Sequence, residues 1–498
     1  MSSREERRGA EGLGAARTKL MCTLGPATPD TDAVERLAGV GADVFRVNLS
    51  HGTPEEHAKE VRGVREAEER VGRPLAVLAD LPGPKVRLGE IEGDEVELSE
   101  GSRFELRPGA GGSGNDGNDD GDGDHGDESG ATVTYDGLAQ DLEPGDKVHL
   151  ADGAVELVVD GIEGDVVITR VVRSGTVGSG QGVNVPAEKL GLPGITDRDR
   201  EGLREALELG VDGLLQSFVR SADDILELRS LMEGRRLPIM AKIETGLAVE
   251  RFDDIVATAE AIMVARGDLG VELPMEEVPI LQKDLLRRAR IQGVPGVVAT
   301  QMLESMQHAS RPTRAEATDV ANAVLDGADS VMLSAETAVG DYPIEAALAA
   351  TRICEEAERL GAKFAIPMPD CTHRDQPSAI AHAAADVVAR HPDVVAIACY
   401  TRSGGTPRLL ARERPAVPIF VLVPDQTVRR RLTVIWGIQP LAAEMPADTD
   451  EMIHRMDRAL VERGLAQEGQ AVVMVAPAPL GRAHTNLLKI HRLGSPAD

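Results

Sequence analysis

The sequence is poor in aromatic residues, and its cysteines are not spaced as metal ligands usually are. Phe, Tyr and Trp make up 2% of the 498 residues, with a single Trp. The hydrophobic cores must therefore be aliphatic, and the stacking platforms of proteins that bind single-stranded nucleic acids are missing. The four cysteines include no CxxC pair, which argues against a disulfide framework or a zinc site and is typical of a reducing cytoplasm.

Positive charge is also scarce, and no long apolar run is present. The formal net charge is −29, so a nucleic-acid backbone would be repelled. Phosphates and other acidic substrates could bind only where a few Arg or Lys residues or a metal ion reverse the local field. No segment of signal-peptide or membrane-spanning length follows the charged N-terminus, so we expect a cytoplasmic protein with no membrane partner.

What the sequence does contain is a repeated alternation of β-like and helical patterns. The chain is too long for one hydrophobic core, and eight apolar β-like runs are separated by amphipathic helical patterns. Eight such units close a (β/α)8 TIM barrel, whose active site lies at the carboxyl ends of its strands. The eight runs are 19–23, 43–49, 75–79, 213–217, 238–243, 261–264, 296–299 and 330–333.

The pattern changes between the third and fourth runs and again near the C-terminus. Short β-like pieces broken by Gly and Asp predict a small β domain inserted into the barrel. Within it, residues 109–130 are almost wholly Gly, Asp, Asn and Ser, which predicts a disordered acidic loop. A further α/β domain follows a proline-containing linker. The predicted boundaries are 1–87 and 188–360 for the barrel, 88–187 for the inserted domain and 375–498 for the C-terminal domain.

Charged residues on two barrel strands point to an anion and a metal ion. Arg46, Asn48 and Ser50 share one face of their strand. Lys242 and Glu244 share a face of an otherwise apolar strand, where an uncompensated charged pair costs several kcal/mol. A divalent cation on Glu244 and a substrate anion on Lys242 would compensate it, and an ordinary internal salt bridge is the alternative.

The following loop offers a second carboxylate. Ala265-Arg-Gly-Asp-Leu-Gly comes directly after a strand, and its glycines let backbone N–H groups approach an anion. Asp268 could share a hard cation with Glu244, because two carboxylates plus water and substrate oxygens are a usual way of holding Mg²⁺. No Gly-Lys-Ser/Thr sequence is present, which excludes a Walker-type phosphate loop.

At these residues the sequence resembles the pyruvate kinase family over nearly its whole length. The motifs are specific because they occur together and in this order. They are Thr23-Leu-Gly-Pro-Ala, Arg46-Val-Asn-Leu-Ser-His-Gly, Gly83-Pro-Lys-Val-Arg, Ser217-Phe-Val-Arg, Ala241-Lys-Ile-Glu, Met263-Val-Ala-Arg-Gly-Asp-Leu-Gly-Val-Glu, Ala299-Thr-Gln-Met-Leu-Glu-Ser-Met, Arg311-Pro-Thr-Arg-Ala-Glu and Asp319-Val-Ala-Asn-Ala-Val-Leu-Asp-Gly. The resemblance implies a barrel with an inserted β-barrel lid and a C-terminal α/β regulatory domain.

The resemblance also implies phosphoryl transfer from phosphoenolpyruvate to ADP, giving ATP and pyruvate, with Mg²⁺ or Mn²⁺ held by Glu244 and Asp268. Lys242 would lie against the phosphoryl group in flight, where positive charge lowers the barrier. The carried-over positions fall into three groups. The catalytic and substrate-binding residues are Arg46, Lys242, Ala265, Arg266, Gly267, Asp268 and Thr300, with Thr300 also helping to protonate enolpyruvate. The nucleotide-binding residues are Thr23, Pro26, His51 and Arg198. The monovalent-cation site comprises Asn48, Ser50 and Asp80.

One departure from the family pattern concerns that monovalent cation. Many members have Thr, Lys and Glu where this chain has Leu81, Pro82 and Lys85, and those members need K⁺. Lys85 and Leu88 resemble the branch that works without K⁺. A tethered ammonium can supply the charge that a free cation otherwise supplies, so we expect activity without K⁺; the alternative is that Lys85 merely faces solvent.

Other departures touch the lid hinge and the regulatory end of the chain. These are Gly191, Ala335 and the stretch Gly481-Arg-Ala-His-Thr-Asn-Leu-Leu. In the C-terminal domain, hydroxyls and glycines precede a helix, which would suit an anion. By resemblance this loop would bind a phosphorylated allosteric effector, and an ordinary βα turn is the alternative. The residues concerned are Thr401, Arg402, Ser403, Gly404 and Thr406.

Two other functions remain open at this stage. A metal-dependent pyruvate aldolase or lyase also uses a barrel, a metal-holding Glu and an enolate, although the inserted lid and Lys242 favour phosphoryl transfer. A non-catalytic effector-binding paralogue would explain the departures, although the intact Lys242, Glu244, Asp268 and Thr300 argue against it. Family members are usually homotetramers, and we expect the same assembly here.

Overall fold

The computed structural model describes residues 16–109, 125–185, 189–361, 375–478 and 485–495. The first part of the barrel contains β1 (Lys19–Thr23), α1 (Thr31–Gly39), β2 (Ala42–Asn48), α2 (Pro54–Val71) and β3 (Ala76–Leu81). Helix α2 starts where it does because Thr53 and Glu56 form a capping box, with Pro54 at the first helical position. It ends at Gly72, whose φ of 67° suits glycine.

A β domain is inserted between β3 and the rest of the barrel. Its elements are β4 (Val86–Arg87), β5 (Glu95–Leu98), β6 (Arg103–Pro108), β7 (Gly130–Val133), α3 (Leu138–Asp141), β8 (Lys147–Leu150), β9 (Val155–Glu163), β10 (Val166–Arg173), β11 (Gly175–Gly178) and β12 (Gly182–Asn184). Seven strands form a sheet in the order β4-β12-β8-β9-β10-β6-β7, and β11 pairs with β5. A bridge between Leu88, just after β4, and Val133 in β7 joins the two edges of this sheet, so the sheet curls towards closure as expected of a lid barrel.

The predicted acidic loop lies mostly outside the described residues, which omit 110–124. Its end does not behave as predicted. Gly126 pairs with Ile91, because its N–H donates to the Glu90 carbonyl at 2.8 Å and its carbonyl accepts from the Glu92 N–H at 2.8 Å. The prediction of disorder was therefore wrong for residues 125–130, where backbone pairing with a neighbouring segment outweighs the low hydrophobicity.

The second part of the barrel supplies the remaining five strands. Its elements are α4 (Asp197–Leu209), β13 (Gly213–Gln216), α5 (Ala222–Ser230), β14 (Ile239–Ile243), α6 (Gly246–Glu250), α7 (Phe252–Thr258), β15 (Ala261–Ala265), α8 (Arg266–Glu272), α9 (Val278–Gln292), β16 (Gly296–Ala299), a 3₁₀ turn (Glu304–Gln307), α10 (Arg314–Leu325), β17 (Ser330–Leu333), α11 (Ala335–Ala338) and α12 (Pro343–Gly361). The strands close in the order β1-β17-β16-β15-β14-β13-β3-β2, and every neighbouring pair is parallel. The predicted eight-stranded barrel is confirmed.

The C-terminal unit is an α/β sandwich. Its elements are α13 (Gln376–Arg390), β18 (Val394–Tyr400), α14 (Gly405–Arg412), β19 (Ile419–Val423), α15 (Gln426–Arg431), a 3₁₀ turn (Leu432–Val434), β20 (Ile438–Ala442), α16 (Thr449–Glu462), β21 (Ala471–Ala476) and β22 (Leu487–Arg492). The strand order is β20-β19-β18-β21-β22, with only the β21–β22 pair antiparallel within the described sheet. Helices cover both faces, and each face has its own hydrophobic cluster.

The C-terminal unit closes the base of the barrel. Val434 packs with the inward-facing barrel side chains, among them Met21, Leu78 and Met240. The Ser330 hydroxyl donates to the Val434 carbonyl at 2.7 Å. The barrel interior is thus an apolar plug at its base, so the polar residues must gather at the opposite mouth. No helix in the described ranges is both long and apolar enough to cross a membrane.

Candidate active site

The carboxyl ends of β2, β3 and β14 bring oppositely charged side chains together. Asp80 lies beside Asn48 in the register of β2 and β3, and Lys242 is the next-to-last residue of β14. In a parallel barrel all strands end at the same mouth. Residues that are more than a hundred positions apart in the sequence therefore come into contact at this edge of the barrel.

The Lys242 ammonium is the centre of this cluster. Its Nζ lies 3.1 Å from Glu244 Oε1 and 3.4 Å from Asp80 Oδ2, and it donates to the Ser217 hydroxyl at 2.8 Å. Arg46 Nε donates to the same Asp80 Oδ2 at 2.7 Å. The sequence predicted that Lys242 and Glu244 share one face of their strand, and this geometry agrees with it. The two side chains form an ion pair within a wider network.

Burial and neighbouring charges shift the pKa values of these groups in different directions. Burial alone would lower the pKa of Lys242, but the carboxylates of Asp80 and Glu244 outweigh it and raise that pKa. Burial would raise the pKa of Asp80, but Lys242 and Arg46 lower it below its usual value. Burial raises the pKa of Glu244, and the charge of Asp268 adds to the effect against the opposing Lys242. Lys242 therefore keeps its positive charge at neutral pH.

Glu244 and Asp268 fit a divalent cation by their chemistry. Glu244 is 1% exposed, and its Oε2 accepts the Phe218 N–H at 2.7 Å. Because Asp268 raises the pKa of Glu244, the two carboxylates are close enough to repel each other, and a shared cation would relieve that repulsion. In the part of the chain that the structure describes, no group of three or more His, Cys, Asp and Glu side chains is arranged for a metal. A pair of carboxylates suits Mg²⁺, which keeps waters and substrate oxygens as its other ligands.

Thr300 is held in a strained conformation at the end of β16. Its φ is 68°, which is unusual for a β-branched residue. Its hydroxyl accepts the Gly267 N–H at 2.8 Å, and its carbonyl accepts from Arg266 Nη2 at 2.7 Å. Arg266 also pairs with Asp319 at 2.6 Å. The Arg266 side chain is thus committed to holding the Thr300 loop.

Lys85 lies beside Asp268 at the edge of the cluster. Its Nζ is 3.0 Å from Asp268 Oδ1 and 3.7 Å from Asp152 of the lid, and it sits 5.8 Å from the centre of the Phe218 ring. Among the described residues its ion pairs are with these two carboxylates, whereas Asp80 pairs with Arg46 and Lys242. The alternative in which Lys85 merely faces solvent does not describe this structure.

Comparisons with known proteins agree on one family. The model of the pyruvate kinase barrel domain matches residues 15–347, more than half of the chain, and that of the pyruvate kinase alpha/beta domain matches residues 378–491. The chain belongs to the pyruvate kinase family. It is therefore a phosphotransferase, as the sequence predicted.

Individual pyruvate kinases match over almost the full chain. That of Mycobacterium tuberculosis strain H37Rv is 42% identical over 484 residues, covering 96% of this chain and 98% of the relative. That of Corynebacterium efficiens is 43% identical over 485 residues, with the same coverage. A crystal structure of a pyruvate kinase from Cryptosporidium parvum superposes with a TM-score of 0.85 at 31% identity, covering 97% of each chain.

The residues expected near the nucleotide, by the pyruvate kinase pattern, line the mouth on the β1 and β2 side. Thr23 accepts from Arg46 Nη1 at 3.2 Å, and Arg198 Nη2 donates to the Ser50 carbonyl at 2.9 Å. Pro26 and His51 are exposed. Although the His51 side chain is largely exposed, partial desolvation of its ring by the surrounding protein, together with the charges of Arg87, Arg198 and Arg46, lowers its pKa. This side of the mouth is therefore positively charged, as an anionic nucleotide requires.

Of the remaining predicted positions, Asn48 accepts the Ser50 N–H at 3.2 Å. In the predicted effector loop, Thr401 accepts the Gly404 N–H at 3.0 Å, and Thr406 hydrogen-bonds to Thr485. Arg402 and Ser403 are exposed. The hydroxyls of Thr401 and Thr406 therefore form hydrogen bonds within the C-terminal unit, as in a structured βα turn.

Two functional features were missed from the sequence. Ser217 bonds Lys242 and also donates to the Leu81 carbonyl at 2.8 Å, so it fixes the ammonium to the end of β3. Phe218 has a φ of 52°, and its N–H holds Glu244. The signal for Ser217 was present, since it directly follows β13 and lies within a family motif. Phe218 acts through its backbone, which no side-chain pattern reveals.

Proposed function

We propose that this chain transfers the phosphoryl group of phosphoenolpyruvate to ADP, giving ATP and pyruvate in the last step of glycolysis. The observation that carries the proposal is the Lys242 ammonium, which is 12% exposed and held at the barrel mouth by Asp80, Glu244 and Ser217. Such a fixed positive charge, shielded from water, stabilises a metaphosphate-like group in transit without reorganising.

The neighbouring residues would bind and orient the two substrates. Arg46 would clamp the phosphoryl group of phosphoenolpyruvate, because its guanidinium lies beside the same Asp80 carboxylate as Lys242. The backbone from Ala265 to Asp268, together with Thr300, would bind the substrate carboxylate. Thr300 would also help to deliver the proton to enolpyruvate, since its hydroxyl lies next to that loop. Thr23, Pro26, His51 and Arg198 would bind ADP.

A divalent cation would be held by Glu244 and Asp268. When bound, Mg²⁺ or Mn²⁺ would neutralise charge on the phosphoryl and carboxylate oxygens of the substrate. The protein's own part is to keep Glu244 ionised and aimed at the mouth, which the Phe218 N–H and the Lys242 ammonium support.

We further propose that activity does not require K⁺. The support is the place of the Lys85 ammonium, 3.0 Å from Asp268 and close to the phosphoryl-transfer residues. A tethered cation there supplies a permanent positive charge next to the substrate anions. Asn48, Ser50 and Asp80 correspond to the cation site of K⁺-dependent relatives, and in this chain Asp80 is occupied by Arg46 and Lys242.

The regulatory and assembly predictions remain proposals. Thr401, Arg402, Ser403, Gly404 and Thr406 would bind a phosphorylated effector, supported by the left-handed Gly404, whose φ is 90°, just before α14. We also propose that the chain assembles into a homotetramer, resides in the cytoplasm and has the domain boundaries predicted above.

A coupled assay tests the main proposal. Purified protein with Mg²⁺, phosphoenolpyruvate and ADP should form pyruvate, which lactate dehydrogenase reduces while it oxidises NADH. Omitting ADP should abolish the loss of NADH. Lys242→Met should lower kcat by at least about a thousandfold, since it removes the transferring charge. Lys59→Met, which removes an exposed lysine of α2, is the matched control.

The other outcomes separate the alternatives. Pyruvate formed without ADP would indicate an aldolase or lyase. No turnover despite effector binding would indicate a non-catalytic paralogue, and wild-type activity in Lys242→Met would contradict the assigned role.

A further inference from the structure

A buried histidine to which the proposed reaction gives no part lies behind the loop that follows β2. His57, in the first turns of α2, is 4% exposed. Its Nδ1 lies 2.6 Å from Oε1 of Glu205 in α4, and its Nε2 lies 2.7 Å from the carbonyl oxygen of His51. The ring therefore connects helix α4 with the loop in which His51 is expected to bind the nucleotide.

The two contacts show where the protons of this pair lie. A carbonyl oxygen only accepts hydrogen bonds, so Nε2 of His57 must carry a hydrogen and donate it to His51. A nitrogen lone pair and a carboxylate oxygen would repel each other at 2.6 Å, so a proton must also lie between Nδ1 and Glu205. The His57–Glu205 pair therefore holds one proton more than a neutral imidazole beside an ionised carboxylate.

Residues 49–53, which we call the nucleotide loop, rest directly on this ring. Gly52 has a φ of 85°, and a Cβ placed there would lie 3.2 Å from His57 Nε2. Arg198 Nη2 donates to the Ser50 carbonyl at 2.9 Å. Two side chains of the barrel helices thus hold the successive carbonyls of residues 50 and 51, and they fix the path of the nucleotide loop.

We propose that His57 is a positioning residue for the nucleotide, because its protonated pair with Glu205 holds the His51 carbonyl and so keeps the nucleotide loop in place for ADP. This inference rests on the proposed function, which assigns His51 and Arg198 to ADP. His57 itself is buried behind the loop and would not touch the substrate. It should therefore control the affinity for ADP and leave that for phosphoenolpyruvate unchanged, since the ligands proposed for phosphoenolpyruvate lie outside the loop.

The support that His57 gives to the loop should depend on pH. If the pair loses its extra proton, a single N–H remains for two oxygen acceptors, and the charged Glu205 carboxylate is the stronger acceptor. The bond to the His51 carbonyl is then the one that is lost. The loop is therefore held at low pH and released as the pH rises through the titration of the pair.

Other charged groups surround the ring, and their titration must be separated from that of the pair. Burial raises the pKa of Glu60 to about 7, against the opposing charge of His57, so Glu60 titrates in the range typical of histidine. Glu60→Gln is for this reason a necessary control. The neighbouring groups are Glu205 and Arg198 of α4, His51 of the loop, and Glu56 and Glu60 of α2.

The test measures ADP affinity in the full-length protein with Mg²⁺, both as the KM in the coupled assay and as the Kd from isothermal titration calorimetry. His57→Leu should weaken ADP on the order of tenfold, as loss of a charge-assisted hydrogen bond does, with the KM for phosphoenolpyruvate and the kcat at saturating ADP unchanged. His57→Gln keeps an N–H near the position of Nε2 and should restore the affinity.

His491→Leu is the matched control. His491 is 3% exposed, and its Nε2 lies 2.7 Å from Asp457 Oδ2 in the C-terminal unit. The substitution therefore removes an equally buried histidine–carboxylate pair at a site remote from the nucleotide loop. It should lower Tm and leave the affinity for ADP unchanged.

The pH arm compares conservative variants, so it stands even if His57→Leu does not fold. Relative to His57→Gln, the affinity of the wild type and of Glu60→Gln for ADP should fall as the pH is raised. A ratio that does not change with pH would overturn the proposed role of the protonated pair.

The remaining outcomes separate this inference from the proposed reaction. An active wild type whose ADP affinity is unchanged in His57→Leu would overturn the inference and leave the reaction intact. A wild type that binds ADP without turnover, and binds it more weakly in His57→Leu, would contradict the reaction and support the inference. No binding of ADP to the wild type would overturn both.

Discussion

At the scale of single residues, the barrel mouth contains a balanced set of charges. Arg46, Lys85 and Lys242 face Asp80, Glu244 and Asp268 in consecutive ion pairs. Burying any one of these charges alone would cost several kcal/mol, whereas the paired set offsets much of that cost. Under the proposed function, a divalent cation and a phosphoryl dianion would enter this balanced set together, and their own charges would offset each other.

Lys85 leads to a prediction about monovalent cations. The wild-type rate should change little when Na⁺ is replaced by K⁺, because the ammonium already lies 3.0 Å from Asp268. Lys85→Glu should lower the rate in Na⁺ at least about tenfold, with K⁺ restoring part of it, because a carboxylate there needs a free cation. Steady-state rates in matched chloride salts measure this, with Lys59→Glu as control. A large K⁺ activation of the wild type would refute K⁺ independence.

At the scale of elements, the strands were easier to predict than the loops that complete the site. Each barrel strand is a short, largely apolar run with a polar or charged residue at or next to its carboxyl end, a pattern that depends only on local sequence. The loops after β3, β13 and β16 instead contain Gly83, Phe218 and Thr300 with positive φ values. The loops that contain Phe218 and Thr300 hydrogen-bond to Glu244 and Gly267, which belong to other βα units of the barrel. The positive φ values therefore depend on tertiary contacts and cannot be read from the local sequence.

Gly83 gives a prediction at this scale. Its φ is 72°, and a Cβ placed there would lie 2.8 Å from the Ser217 Cβ. Gly83→Ala should therefore displace Ser217, loosen its bond to Lys242 and lower kcat about tenfold or more. Gly72→Ala is a matched control, because Gly72 has a similar φ of 67° but no atom within 4 Å of its added Cβ.

Comparing Gly83→Ala with Gly72→Ala separates the effect of the steric clash with Ser217 from the effect of backbone strain. Both variants should lose about 1–2 kcal/mol of stability from the left-handed conformation, measured as a lower Tm. Only Gly83→Ala should lose kcat in the coupled assay. If the two variants kept the same kcat, Ser217 would not position Lys242 in the way described.

At the scale of the whole molecule, the C-terminal unit is docked onto the barrel by charge and by packing. Trp436 lies at this interface, with the guanidinium groups of Arg414 and Arg17 at 4.6 and 5.5 Å from its ring centre. Its backbone N–H donates to Asp329 Oδ1 at 3.1 Å. Cation–π contacts of this kind are stronger when shielded from water. Trp436 emission therefore reports on docking of the two units.

An ion pair across the same interface can be removed. Arg430 of α15 bonds both carboxylate oxygens of Glu68 in α2, with side chains 18% and 8% exposed. Arg430→Met should cost about 1–3 kcal/mol, because it leaves Glu68 shielded without its partner. The thermal transition of Trp436 emission should shift down by a few degrees.

An exposed pair serves as the control for this variant. Arg390 and Asp386 lie within α13 with side chains 74% and 47% exposed, so Arg390→Met should change stability by less than about 0.5 kcal/mol. Equal shifts for the two variants would show that the Arg430–Glu68 contact does not help dock the C-terminal unit.

The candidate site was predicted unevenly. Lys242 and Glu244 were predicted from the residues themselves, because charges within an apolar strand stand out in any sequence, whereas Asp80 was assigned through the family resemblance. The partner of Lys85 was not found, since its contact with Asp268 spans 183 positions along the chain. The contacts of Arg266 with Asp319 and with the Thr300 loop could not be predicted from the sequence either. The sequence of an anion-binding loop does not show whether its arginine contacts a substrate or other residues of the protein.

By itself the sequence determined the alternation of strands and helices, the number of barrel strands, the inserted β domain and the family. These depend on the period of the apolar residues and on short motifs, both of which are local. Only the tertiary structure decided which charges pair at the mouth, which backbone groups hold them, and that His57 and Glu205 meet behind the loop of His51. Those features arise where strands distant in sequence end side by side, and only the closed barrel brings their ends together.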